Sequence, residues 1–307
     1  MKARTGLLDM ARMLAGMAPR RWWWGGALMA ALTVLMGMAL LGLSGWFIAA
    51  TAIAGLVPAT ALVFDVFMPS AGIRLLAMGR TASRYGERVV THETTLAVLA
   101  VLREKLFIGW AQPGAARLLQ LRPARLLQRL TADVDALDSL YLRLMVPVVA
   151  AAGAALLAGV VLGALQWWLG LSVLAWLLLA GMGLTLWLTR RSTRPAVQRA
   201  LALERLRAQA VDAVAGQTDL LMAGRLVAQS AHIAQSDARV AKADHALNRL
   251  DAQAAAGFAT AGALTLAGVL AGAVYLVDAG VIGAPGAALA LLVALTAMEP
   301  FNALRRG

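Results

Sequence analysis

Three long stretches of this chain contain no lysine or arginine, and that absence constrains the fold more than any motif. The 28 basic residues fall into four blocks, in residues 1–21, 74–143, 190–249 and at Arg305 and Arg306. Residues 22–73, 144–189 and 250–304 hold none and are 46 to 55 residues long. A helix needs about 20 apolar residues to cross the hydrocarbon core of a bilayer. Each stretch therefore accommodates two crossings and a short turn, which predicts three transmembrane hairpins and six spans. All basic blocks then lie on one side, and the positive-inside rule makes that side the cytoplasm, with the N-terminus on it.

The hydrophobic fraction of 61% and mean hydropathy of +0.73 exceed those of an ordinary soluble domain. The apolar runs are rich in Ala, Leu and Gly and do not alternate, so they predict helices and not barrel strands. Small residues recur inside them, as in Gly153–Gly163 and Gly257–Gly272, where they let membrane helices approach closely. The net charge of +12 sits on segments continuous with spans. Topology accounts for it, and nucleic acid is not an expected partner. Without a cysteine, the chain forms no disulfide, iron–sulfur cluster or thiolate metal site.

Residues 1–21 read as a basic amphipathic elbow helix in the lipid headgroup region, followed by an aromatic anchor at Trp22, Trp23 and Trp24. Outer turns are expected near Gly55–Pro58, at Gln166–Trp168 and over Asp278–Pro285. The second span is expected to start near Ala59 and pass Asp65 and Pro69. Two inner excursions, 74–143 and 190–249, number 70 and 60 residues. As helix pairs they would project on the order of 45 Å. Their far ends, near 112–124 and 219–229, are the places where a cytoplasmic domain would dock.

Arg80, Arg84, Arg88 and His92 recur every four residues and so share a helix face. Guanidinium groups at that spacing suit carboxylates, and a histidine beside them suits a metal or haem iron. Read as a solvated stalk, the same stripe has no ligand. Glu299 precedes Pro300 in the sixth span, where a kink would aim it at a cavity. Asp65 is either a cavity group or an outer-surface residue. Asp133, Asp135 and Asp138 scatter around a helix and lack the glycine of a calcium loop. His232 and His245 have no metal-ligand spacing. No nucleophile–base pair and no G-x-x-x-x-G-K-[ST] loop occurs, so no catalytic residue is assigned and no ATP hydrolysis is expected from these 307 residues alone.

Four segments resemble the CydC subunit family, one half of the CydDC heterodimeric ABC exporters. They are Leu40–Ile48 with Ala49–Ala52, Met68–Arg74, Arg80–Tyr85 with Glu87, Arg88 and His92, and Ala132–Asp138 with Leu140–Arg143. The resemblance implies an all-α, six-helix type I (type IV) ABC exporter transmembrane domain over 22–307, with coupling segments near 112–124 and 219–229. It implies a CydD-like second subunit, and nucleotide-binding domains that supply ATP and are absent from this chain, which is then a truncated product, a fragment or half of a split transporter. It further implies movement of cysteine, glutathione or haem across the bacterial inner membrane in support of cytochrome bd assembly. In the family, positions matching Arg88 and His92 are associated with haem. The alternative reading is a non-transport haem-binding or assembly membrane protein, or an inactive remnant.

Overall fold

The computed structural model describes residues 20–110 and 145–305. The elbow at 1–21 (save its last two residues), the coupling segment near 112–124 and the three aspartates at 133, 135 and 138 lie outside the described residues. Nine helices make up the described chain: α1 (Arg20–Ala54), α2 (Pro58–Val63), α3 (Phe67–Trp110), α4 (Val146–Leu165), α5 (Trp167–Ala215), α6 (Gln217–Met222), α7 (Leu226–Asp278), α8 (Ala284–Ala297) and α9 (Glu299–Arg305). No strand occurs among the described residues, so this is an all-α fold.

Among the described residues five stretches are long and apolar enough to cross a membrane: Trp24–Ala54, Val146–Leu165, Trp167–Ala215, Leu226–Asp278 and Ala284–Arg305. The expected second span is not one of them, because it is not one continuous helix. The chain leaves helical geometry at Phe64–Val66, between α2 and α3. Asp65 causes the restart: its Oδ1 accepts hydrogen bonds from the amides of Phe67 (2.8 Å) and Met68 (3.4 Å), the first free donors of α3. Arg74, Arg80 and Arg84 then fall within the first 18 residues of α3, which lowers its hydropathy. Asp65 is exposed and serves as a helix cap.

The chain forms two compact units. The first comprises residues 1–179 and 261–307, and α1 is its hub, packed on α3, α4 and α8. Its buried positions are mostly small, including Ala27, Ala30, Ala31 and Ala50, so neighbouring backbones come close. The pairing of α1 with α3 is antiparallel and follows a heptad of glycines. Gly72, Gly79 and Gly86 meet Leu43, Met36 and Met29, and a Cβ on each glycine would stand 3.1, 3.4 and 3.7 Å from the facing side chain. Seven-residue spacing on both partners keeps one stripe against the other along the whole pair. On the opposite flank, Gly42 and Gly45 receive Val293 and Leu292 of α8.

The hairpin of α4 and α5 is tighter still. Gln166 alone separates the helices, in extended geometry, and accepts the amides of Leu169 and Gly170. Gly170 sits on the backbone of Gly159 and Gly163, with no room for a Cβ. Farther along, the Trp176 indole N–H donates to Thr265 Oγ1 of α7 (3.0 Å). At the third outer turn, Gly280 adopts φ +69, a left-handed conformation that glycine takes without a Cβ clash.

The second unit, residues 180–260, holds the far portions of α5 and α7 joined through α6. Ala202 and Ala243 are buried in it. An exposed ion pair links Arg199 to Asp244. The expected turning segment near 219–229 contains the end of α6, Gly224 at φ +64 and the start of α7. His232 and His245 are exposed on α7, and among the described residues no group of three or more His, Asp or Glu is placed to hold a metal.

Candidate functional site

The first unit contains a partly open cavity of about 480 Å³ lined by α1, α3, α4 and the α8–α9 break. Arg80, Arg84, Glu87 and Arg88 enter it from α3, Thr33 from α1, Thr296 from α8 and Glu299 from α9. Four of the five residues singled out from the sequence therefore share one cavity. His92 does not line it. It is exposed one turn beyond Arg88, as the four-residue drift of the stripe around the helix requires. Asp65 is likewise not a lining residue.

Each wall has a local cause. Gly37 leaves α1 without a side chain where Arg80 crosses it, and a Cβ there would stand 3.3 Å from Arg80 Nε. The Thr33 hydroxyl donates to the Met29 carbonyl (2.8 Å) and to Ser83 Oγ (3.2 Å), tying α1 to α3 beside the cavity. Pro147 lies in the first turn of α4, where its missing N–H breaks no helical bond. The last wall is a helix break. Helix α8 stops at Ala297, Met298 intervenes, and α9 restarts with Glu299 and Pro300. Pro300, Phe301 and Leu304 of α9 are buried, which holds the exposed Glu299 at the cavity.

The glycine heptad fixes the depth of the stripe. By that register Arg80 is level with α1 about 17 Å past Trp24, Arg84 about 10 Å past it and Arg88 about 5 Å past it. His92 falls at the start of the apolar run. The arginines thus sit at the level of a membrane-spanning segment, where charged side chains are costly and line functional cavities.

Three guanidinium groups and two carboxylates leave the cavity one net positive charge. Among the described residues Arg80, Arg84 and Arg88 make no direct hydrogen bond or ion pair, and Arg84 and Arg88 act on Glu87 electrostatically. An arginine fork binds a carboxylate through two parallel bonds. The glutamates offer acceptors for an ammonium group. Thr33, Thr296 and the α4 residues escaped the sequence reading because nothing in their spacing marks them.

No family model matches the chain. It is 51% identical over 110 residues to the glutathione/L-cysteine transport system ATP-binding/permease protein CydC of Haemophilus influenzae, covering 36% of this chain and 18% of that protein. It is 44% identical over 126 residues to CydC of Escherichia coli, covering 41% and 22%. A more distant match, 27% over 103 residues, is to CydD of Bacillus subtilis, covering 33% and 18%. The matched stretch spans about a fifth of the length of these curated relatives. Five apolar helices and these relatives describe a multi-pass membrane protein. Over the matched stretch the chain is CydC-like, similar to the membrane subunit of an ABC transporter.

Proposed function

We propose that this chain is the membrane part of one subunit of a CydDC-type ABC exporter and that its cavity receives a thiol-bearing anion of the glutathione class. The observation that carries this reading is the convergence of Arg80, Arg84 and Arg88 with Glu87 and Glu299 in one cavity at membrane depth. Glutathione carries two carboxylates, one ammonium and a single net negative charge at neutral pH. That set complements three guanidinium groups and two carboxylates with one net positive charge. Cysteine, with one carboxylate and one ammonium, would leave part of the site unmatched. The names of the CydC relatives include glutathione and L-cysteine transport, which supports the same class.

In this reading the chain lies in the bacterial inner membrane with its N-terminus cytoplasmic. It pairs with a CydD-like subunit, and ATP acts through nucleotide-binding domains docked at the segments near 112–124 and 219–229. The test is ATP-dependent uptake of labelled glutathione by inverted vesicles holding the assembled transporter. Replacing Arg84 or Arg88 by alanine should lower uptake about tenfold, the cost of one charge-assisted hydrogen bond. Uptake at the wild-type rate in both variants overturns the reading.

A second reading rests on His92. It is exposed at the start of the apolar run, one turn from Arg88 and two turns from the exposed Tyr85 on α3. An imidazole for iron and a guanidinium for a propionate fit a haem laid on α3 there. Haem held there would serve cytochrome bd assembly without occupying the cavity.

A further inference from the structure

Helix α3 carries a fourth arginine that the cavity does not include. Arg74 is exposed, and it makes no hydrogen bond or ion pair among the described residues. The packing of Gly72 on Leu43 places Arg74 level with α1 about 25 Å past Trp24, still inside the Trp24–Ala54 span. The next carboxylate toward the start of α3 is Asp65, about 13 Å away along the helix, and it is engaged by the Phe67 and Met68 amides. An arginine at this depth needs a counter-ion, and the described residues place none beside it.

The sequence between Arg74 and the cavity is specific. Positions 74, 77, 81, 84 and 88 advance by three and four residues alternately and so form one stripe on α3. Between the arginines this stripe holds only Ala77 and Thr81. The Thr81 hydroxyl folds back on the Ala77 carbonyl (3.0 Å), so nothing bulky stands on the line from Arg84 to Arg74. Met78 and Tyr85 flank the stripe and are each 72% exposed, which leaves that side of α3 uncovered by the rest of the first unit.

We propose that Arg74 is a second, outer anion station, which holds a carboxylate of the cargo after it leaves Arg84 and Arg88 and before its release to the outside. This rests on the cavity being an anion site and extends it from a binding site to a path. The ligand chemistry, an oxyanion gripped by a guanidinium, is shared by a soluble carboxylate and by a lipid phosphate. Water access distinguishes them.

The chain contains no cysteine, so Met78→Cys is a single reporter one turn from Arg74. The full chain in native membranes is treated with small anionic and cationic water-soluble thiol reagents, with Arg74 intact and as Arg74→Gln. The expected result is faster reaction with the anionic reagent, a rate ratio that falls at least about threefold in Arg74→Gln, and slowing only while Arg74 is present by S-methylglutathione, which keeps both carboxylates and has no free thiol to consume the reagent. A cysteine at 78 that reacts only with a membrane-partitioning maleimide would make Arg74 a lipid-headgroup contact and overturn the proposal. A rate ratio indifferent to Arg74→Gln, or labelling indifferent to S-methylglutathione, would also overturn it. Binding of glutathione to Arg84→Gln is measured in parallel. If that variant binds normally while the Met78→Cys results hold, the cavity assignment fails and Arg74 is an anion contact without the path from Arg84 and Arg88, which overturns the proposal as a second station.

Discussion

The guanidinium of Arg80 lies directly against Gly37. A Cβ at position 37 would stand 3.3 Å from Nε, 3.5 Å from Cζ and 3.7 Å from Cδ. The glycine therefore determines where the Arg80 guanidinium rests. Gly37→Ala should be tolerated, because the end of a flexible side chain yields by a few tenths of an ångström. Gly37→Leu should displace Arg80 and weaken glutathione binding about tenfold, the loss of one charge-assisted contact. Calorimetric titration reads the affinity and a thermal melt verifies that the variant is folded. Wild-type affinity in folded Gly37→Leu would remove Arg80 from the binding site.

Gly170 should be the least replaceable glycine of the α4–α5 hairpin. A methyl group there meets the backbone of Gly159 and Gly163, and backbone does not move aside as a side chain does. Gly170→Ala should cost about 1–3 kcal/mol. Gly183, also in α5, has nothing within 4 Å of an added Cβ. Gly183→Ala should be neutral or gain up to about 1 kcal/mol from helix propensity. Melting temperatures of the two variants in one detergent give the comparison, and equal shifts would contradict the packing.

Single cysteines test the sidedness of the fold. Those at Gly55, Gln166 and Gly283, in the three turns that join α1 to α2, α4 to α5 and α7 to α8, should react with a membrane-impermeant thiol reagent from outside intact cells. Those at Gln229, near the start of α7, and at Gln120 should not react. Outside labelling at either of these two would invert the topology.

The two ligand readings separate by residue. If the cavity holds glutathione, Arg84→Ala and Arg88→Ala should lower thiol-stimulated ATP turnover of the assembled transporter, and His92→Ala should leave it unchanged, since His92 lies outside the cavity. If α3 also carries haem at His92, His92→Ala should abolish or shift the Soret band. Arg88→Ala should weaken haem binding without moving the band. Wild-type behaviour of all three variants in both assays would leave the stripe a solvated face.

The sequence by itself determined the helical class, the turns and the common face of the arginines. Those features follow from local chemistry: the length of apolar runs, the placement of basic blocks and the 3.6-residue period. Helix α7 ends at Asp278, where the third turn was expected to begin. The interruption of the second span at Phe64–Val66 was not legible, because a single carboxylate, Asp65, competes for the backbone amides that would have continued the helix. Only the tertiary structure decided which charges share a cavity. Glu299 joins Arg80, Arg84 and Arg88 because α1 packs on both α3 and α8 through glycines, and that juxtaposition links residues more than 200 positions apart. His92 parts from the cavity for the converse reason: a spacing of four drifts around a helix of 3.6 residues per turn, and the packing of α1 fixes where that drift carries a side chain out of the cavity.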